Sequence, residues 1–283
     1  MITDFFNSTS PHGPDESMSI HLNSQDIAFF RKIVGKAGTK AATIQQKGVS
    51  VSRKADHSIV TQADIIVQEY LISRITKRFG HVNFIYEEGN HETAASISEE
   101  TITVIIDPID GTSMFSMHMP IWCVSLGVFQ GNNPLYGFVY APGMNMFFHN
   151  DDNDSYINNR PVHISNDFII DSESNIFYAT EIYKHILIDF PGKARNLGST
   201  ALHACLTIDN ARNRTLAFIG KSWIWDWAGP VPIILKAGGS LRYMNGDAFN
   251  LDDIIRTGYA IPEFLIAYTC RDFEDIKKIF RPL

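Results

Sequence analysis

The chain has 283 residues, 45% of them hydrophobic and 19% charged, and a formal net charge of −7. That balance supports a sizeable core and excludes a disordered protein, and it leaves no surplus of Lys and Arg to neutralise a nucleic-acid backbone. No stretch reaches the roughly 18 continuous apolar residues of a membrane span, so neither nucleic acid nor membrane is expected as a partner.

Residues 1–23 are rich in Ser, Pro, Asn and Asp and lack the basic-then-apolar order of a secretory signal, so they read as a flexible leader. Ser24 is placed to cap an amphipathic helix in which Ile27, Phe30, Val34, Ala37, Ala41 and Ile44 share one face and Gly48 ends the unit. An extended segment over 54–64 leads to a second helix that turns Val67, Tyr70, Leu71 and Ile75 inward and stops at Gly80. A strand over 83–86 ends at Glu87 and Glu88, and residues 89–100 are polar and mobile in character.

The run Ile102, Thr103, Val104, Ile105, Ile106 does not alternate, which predicts a central strand buried on both faces. Asp107-Pro108-Ile109-Asp110-Gly111-Thr112 follows and predicts a sharp turn at the strand's carboxyl end, where open α/β sheets place ligands. Strands over 122–129 and 135–140 flank a hairpin at Gly131-Asn132-Asn133, and Trp122 reads as core. A further hairpin joins 146–149 to 156–158 through Asp151-Asp152-Asn153-Asp154, which lacks the later Gly and Glu of a calcium loop and reads as a solvated turn.

A strand over 175–180, a helix from Gly198 to Ile208 and a strand over 215–219 come next. Trp225-Asp226-Trp227 opens a helix that ends at Ala237-Gly238-Gly239; Pro230 fits its first turn, whereas Pro232 lies further in and should tighten or kink it. Short strands near 241–243 and 264–268 separated by a turn at Gly246, then a closing helix from Asp272, complete the chain. Cys123, Cys205 and Cys270 are far apart in apolar surroundings, the pattern of buried free thiols in a reducing compartment, so a cytoplasmic location is expected.

Asp107 and Asp110, held on one short turn, repel each other unless a cation lies between them. Thr112 adds a hydroxyl, and Gly111-Thr112-Ser113 can expose N–H groups to a phosphate. Alone, this turn is equally an ordinary surface Asp-Pro turn, and Asp226 alone is equally a helix cap. Together with Glu87 they supply hard oxygen ligands with no His or Cys cluster nearby, which selects magnesium over zinc. Two adjacent ions are what hydrolysis of a phosphomonoester needs: positive charge on the phosphoryl oxygens, an activated water and a stabilised leaving group.

Five segments in order, VTQAD at 60–64, EE at 87–88, DPIDGT at 107–112, RNLGSTA at 195–201 and WDWA…AGG at 225–239, resemble the inositol monophosphatase superfamily over nearly all of the chain after residue 24. The resemblance implies an α/β fold, a layered αβαβα sandwich, in one phosphatase domain over 24–283 with an α+β half to about 158 and an α/β half from about 159. It further implies a magnesium-dependent, lithium-sensitive phosphomonoesterase acting on a small soluble metabolite, and a homodimer. Carried over, Glu87, Asp107 and the Ile109 carbonyl hold one magnesium, Asp107, Asp110 and Asp226 a second, and Glu87 with water a loose third. Glu87 and Thr112 orient the attacking water, Asp64 supports Thr112, and Gly111, Thr112, Gly198, Ser199 and Thr200 meet phosphate or substrate. Glu88 stays outside the ligand set, and Lys54 with Asp56 matches a KxD element of some branches.

Members that hydrolyse inositol phosphate carry a glutamate seven residues before the aspartate matching Asp226, where this chain has Ile219. Lys184, Arg195, Lys221 and Ser222 lie on segments that can border the leaving group. These features favour histidinol phosphate, a 3′,5′-nucleotide bisphosphate or a sugar bisphosphate over inositol phosphate. A catalytically weak binding member is the other class of reading, hinted at by Pro230 and Pro232.

Overall fold

The computed structural model describes residues 22–53, 59–89, 97–165, 167, 169–269 and 272–283. The first helix, α1 (Ser24–Lys47), is capped by Asn23 rather than by Ser24. The Asn23 side chain accepts from the Gln25 and Asp26 N–H groups, and the Asp26 carboxylate accepts from the Asn23 N–H in return. After the hairpin of β1 (Val51–Arg53) and β2 (Ile59–Thr61), the helix α2 (Gln62–Phe79) begins at a second capping box formed by Thr61 and Asp64. Val67, Leu71 and Ile75 are fully buried as their spacing predicts, while Tyr70 is only half-buried at the rim.

Both helices cover one face of a seven-stranded sheet: β3 (Asn83–Tyr86), β4 (Ile102–Asp110), then the short helix α3 (Thr112–Ser116), β5 (Cys123–Gln130), β6 (Asn133–Ala141), β7 (Met146–Asn150), β8 (Ser155–Ile157) and β9 (Arg160–Val162). All nine residues of β4 are buried, in keeping with the unbroken apolar run. Its place differs from the expectation, however. It lies beside the edge strand β3, parallel to it, and antiparallel to β5 in a largely antiparallel sheet. Helices on both faces, not a central position, bury it. The strand also runs on through Pro108, with a register irregularity between Asp107 and Asp110, and turns only at Gly111, whose φ of 91° is left-handed.

The second half holds β10 (Asn175–Tyr178), β11 (Ile186–Ile188), β12 (Lys193–Arg195), α4 (Thr200–Leu206), α5 (Asn210–Asn213), β13 (Thr215–Gly220), α6 (Ile224–Ala228), α7 (Pro230–Lys236), β14 (Ser240–Tyr243), α8 (Leu251–Arg256), β15 (Leu265–Tyr268), α9 (Phe273–Ile279) and β16 (Phe280–Pro282). Five of these strands form a sheet in the order β12-β10-β13-β15-β14, and β11 pairs with β16. Helices α4, α6 and α7 lie between the two sheets and share an apolar core with both. Ile276 and Ile279 of α9 pack with Ile219, Ile176 and Ile266 on the outer side. The layers are therefore αβαβα, as the resemblance implied.

Pro232 does not kink the helix sharply. Gly229 keeps helical angles (φ −68°, ψ −49°), so α6 and α7 follow one another almost without a break. The prolines cannot donate to the carbonyls four residues before them. The Ala228 carbonyl, four residues before Pro232, faces Gly127, and the Gly229 carbonyl faces Gly137; the two glycines pair across β5 and β6. A Cβ at Gly127 would lie 2.2 Å from the Ala228 oxygen, and one at Gly137 1.9 Å from the Gly229 oxygen. Two glycines thus form a notch that lets the helix carrying Asp226 lie directly on the sheet. Cys123 and Cys205 are buried free thiols, whereas Cys270 lies outside the described residues. Trp122 is fully buried and donates to the Gln45 side chain at 3.2 Å. No described helix is long and apolar enough to cross a membrane.

Candidate active site

The end of β4 and the first turn of α6 bring Asp107, Asp110 and Asp226 together, with one carboxylate oxygen of each within 4.8 Å of the others. Asp107 is 1% exposed and its Oδ1 is buried without a hydrogen-bond partner. Burial, then the charges of Glu87, Asp110 and Asp226, hold the Asp107 carboxyl well above the usual carboxylate range. Burial and the Asp226 charge push Asp110 up to about 7, against the opposing pull of its donors Ser199, Ala201 and Thr200. Like charges this close and this buried need a proton or a cation between them. An all-oxygen set with an orphaned lone pair fits a hard divalent ion.

Glu87 stands half-buried at the end of β3, its N–H bonded to the Ile106 carbonyl at 3.2 Å. It is not one of the tight trio and acts on Asp107 through charge. Glu88 is tied by its backbone to the Gln68 side chain, at 2.6 and 3.0 Å. Thr112 donates its hydroxyl to the Ile109 carbonyl at 2.9 Å or to Asp64 Oδ1 at 3.4 Å. The other Asp64 oxygen accepts from the Thr61 N–H (2.8 Å) and hydroxyl (2.6 Å). One buried carboxylate therefore caps α2 and touches Thr112, and burial lifts it to about 6.

Ser199 and Thr200, expected to meet phosphate or substrate, reach Asp110. The Ser199 hydroxyl and the Ala201 N–H (2.8 Å) donate to its Oδ2, and the Thr200 N–H donates to Oδ1 at 3.1 Å. Gly198, with φ 95°, places its carbonyl 3.1 Å from where a Cβ on Gly111 would stand, so the two glycine turns abut. The Cys123 thiol also reaches Asp110 Oδ2 at 3.6 Å; burial keeps it protonated and able to donate.

Residues 22–277 match the family model described as the inositol monophosphatase family. The chain belongs to that family. It is similar to inositol monophosphatase 1 of Solanum lycopersicum, 26% identical over 238 residues covering 78% of this chain and 87% of that one. It is also similar to the fructose-1,6-bisphosphatase/inositol-1-monophosphatase of Aquifex aeolicus, 24% identical over 253 residues, 85% of this chain and 93% of that one. Its fold matches a solved IMPase/NADP phosphatase complexed with Mg2+ and phosphate, with a TM-score of 0.73, 16% identity, and coverage of 89% and 95%. This member of the inositol monophosphatase family is a phosphatase, a phosphoric monoester hydrolase, of a metal-dependent family that acts on small phosphorylated substrates.

On the substrate side, Ile219, which stands where members that hydrolyse inositol phosphate carry a glutamate, is fully buried among Ile176, Ile182 and Ile266 in the outer core cluster. Lys184 pairs with Glu181 at 2.7 Å, and the Arg195 Nε donates to the Asn175 side chain at 2.8 Å. Lys221 lies over the Phe264 ring at 5.8 Å and lines a small cavity of about 130 Å³ with Thr180, Glu181 and His185. The Ser222 hydroxyl is buried without a partner. Lys54, Asp56 and His57 lie outside the described residues. Sequence reasoning missed Trp223, which is 45% exposed and stacks on Trp225 at 5.2 Å with 8° between the ring planes, while its backbone N–H donates to Asp226 at 2.9 Å. The alternation Trp223-Ile224-Trp225 immediately before Asp226 was the available signal.

Proposed function

We propose that the chain is a magnesium-dependent phosphomonoesterase that transfers the phosphoryl group of a small metabolite to water. The observation that carries this reading is the convergence of Asp107, Asp110 and Asp226 with a partnerless oxygen on Asp107. Glu87, Asp107 and the Ile109 carbonyl would hold one magnesium, Asp107, Asp110 and Asp226 a second, and Glu87 a loosely bound third. Bound there, magnesium supplies positive charge to the phosphoryl and leaving oxygens and acidifies water.

The chain's own residues do the positioning. A carboxylate offers about four lone-pair sites. The Ser199 and Ala201 donors occupy those of Asp110 Oδ2, and Thr200 takes one on Oδ1, leaving Oδ1 open toward an ion. In this reading Gly198, Ser199 and Thr200 act through Asp110 rather than on the substrate. Glu87 and Thr112 orient the attacking water. Asp64 and the Ile109 carbonyl fix the Thr112 hydroxyl, and the N–H groups of Gly111 and Thr112, at the start of α3, meet phosphate oxygens.

For the leaving group, the exposed ring of Trp223, three residues before Asp226, favours a planar ring, because base–aromatic stacking is worth about 1–3 kcal/mol. A nucleotide phosphate is therefore favoured, and the NADP phosphatase description of one structural relative agrees with it. A sugar bisphosphate is the second reading, after the Aquifex relative's name.

Phosphate release should require magnesium, stop with EDTA and be inhibited by lithium, and Asp107→Asn should abolish it. Turnover that survives chelation would remove the metal assignment. The substrate is decided by kcat/KM for adenosine 3′,5′-bisphosphate, histidinol phosphate, fructose 1,6-bisphosphate and myo-inositol 1-phosphate, measured in wild type and Trp223→Ala. The nucleotide should lead and fall about tenfold or more in the variant. Inositol phosphate in first place, indifferent to Trp223, would overturn the stacking argument and leave the phosphatase reading intact.

A further inference from the structure

On the outer layer, far along α2 from Asp64, α1 and α2 enclose a cleft of about 500 Å³ lined by Phe29, Lys32, Ile33 and Lys36 of α1 and by Tyr70, Arg74, Lys77 and Arg78 of α2. The spacing explains the cleft. Residues 29, 32, 33 and 36 form one stripe of α1 and residues 70, 74, 77 and 78 one stripe of α2, and the two stripes face each other across the groove. Ile33 and the two aromatic rings make the floor, and five cationic side chains make both rims. No carboxylate is among the lining residues. Among the described residues the only carboxylate paired with any of the five is Asp26, on Arg78 at 2.6 Å. Arg74 lies over the Tyr70 ring at 5.6 Å and Arg78 over the Phe29 ring at 4.8 Å, which holds their guanidinium groups spread at the groove.

A protein with a net charge of −7 has more acids than bases to distribute, yet here five bases converge with one acid between them. Their mutual repulsion is relieved by an anion that touches both rims. Lys32 and Lys36 also border a second, larger cavity of about 770 Å³ on the other side of α1, with Arg31, Tyr140, Phe147, His149 and Asp151.

We propose that the α1–α2 cleft is a binding site for a small polyphosphate anion, distinct from the phosphatase centre. The lining cations run from Arg74 to Arg78 on α2 and from Lys32 to Lys36 on α1, four residue steps each, about 6 Å of helix, which suits a short polyphosphate chain better than a single phosphate. The concave shape and limited volume suit a small ligand, whereas a lipid surface or a nucleic-acid duplex needs a broad flat or convex basic face.

The test is calorimetric titration of inorganic tripolyphosphate, and separately of ATP, into metal-free protein in EDTA, so that neither turnover nor chelated magnesium contributes. One saturable site per chain should appear and weaken as salt rises from about 50 to 200 mM. The exposed double variant Lys36→Glu/Arg74→Glu, checked for an unchanged melting temperature, should bind at least about tenfold more weakly. Lys32→Ala/Lys77→Ala should show a smaller loss in the same direction. Asp107→Asn should bind like wild type, which separates this site from the phosphatase centre whatever becomes of that assignment. ATP binding as tightly as tripolyphosphate would place the recognition in the phosphates, and tighter ATP binding would add the rings of the floor; both support the site. The proposal is overturned by no saturation at about 5 mM ligand, by binding that persists in Lys36→Glu/Arg74→Glu, by its loss in Asp107→Asn, or by anionic vesicles or RNA binding where tripolyphosphate does not.

Discussion

Replacing Ser199 by alanine removes one oxygen with three partners, one of them the Cys123 thiol at 3.6 Å. The hydroxyl donates to Asp110 Oδ2, and the same oxygen accepts from the Leu202 N–H at 3.3 Å as the N-cap of α4. Loss of a Ser cap costs about 0.5–2 kcal/mol, and loss of a buried hydrogen bond to a charged acceptor about 1.5–3 kcal/mol. The two losses share one atom and do not add fully, so Ser199→Ala should lower unfolding free energy by roughly 2–4 kcal/mol near neutral pH. Asp110 keeps the Thr200 and Ala201 N–H donors, so its carboxylate shifts rather than leaves. A lost support of that kind lowers metal affinity or activity about 10–100-fold. Urea unfolding in EDTA reads the first effect, and the magnesium concentration for half-maximal phosphate release reads the second. Ser199→Thr, which keeps the hydroxyl, should recover much of both. A variant that loses stability but keeps the wild-type magnesium requirement would show that Ser199 only caps a helix, and the account of Asp110 would fall.

Asp64→Asn should lower kcat about 10–100-fold with little change in KM, because Asp64 reaches the reaction through Thr112; steady-state kinetics checks it. Gly127→Ala should cost about 1–3 kcal/mol and raise the magnesium requirement, since its Cβ would press on the Ala228 carbonyl and shift α6. Gly35→Ala, inside α1 where the nearest foreign atom lies at 3.6 Å, should instead stabilise by about 0.5–1 kcal/mol in calorimetry. In EDTA, the contribution of the site to stability should fall as pH rises from about 4 to 7: Asp110 (about 7) and Asp64 (about 6) sit above their unfolded value of 3.8, so the folded chain holds protons there that the unfolded chain has released, while the buried His149 (about 4) and His203 (about 3), below their unfolded value of 6.5, act in the opposite direction. Saturating magnesium should flatten that slope, because the ion takes the place of the proton, and urea titrations across pH with and without magnesium measure the difference.

The long elements and the acids of the site were legible because their causes are local. Period and caps mark α1 and α2, an unalternating run marks β4, and Asp107, Asp110 and Asp226 are ordinary residues in recognisable turns. Even there, one residue of cap position escaped, since Asn23 and Ser24 are both good caps and only the returning Asp26 contact chooses between them. The strands β11, β12 and β16 and the helix α8 are three to six residues long, too short for a period to show. Which way Ile219 points was equally hidden, because a strand buried on both faces has no polar side to give the alternation away. Contacts between distant segments were decided by the tertiary structure: the glycine pair under α6, the Ser199 hydroxyl on Asp110 across 89 positions, and the five cations gathered from two helices. The residue types that can bind an ion or an anion are written in the chain, but whether they meet depends on long-range packing that no local preference encodes.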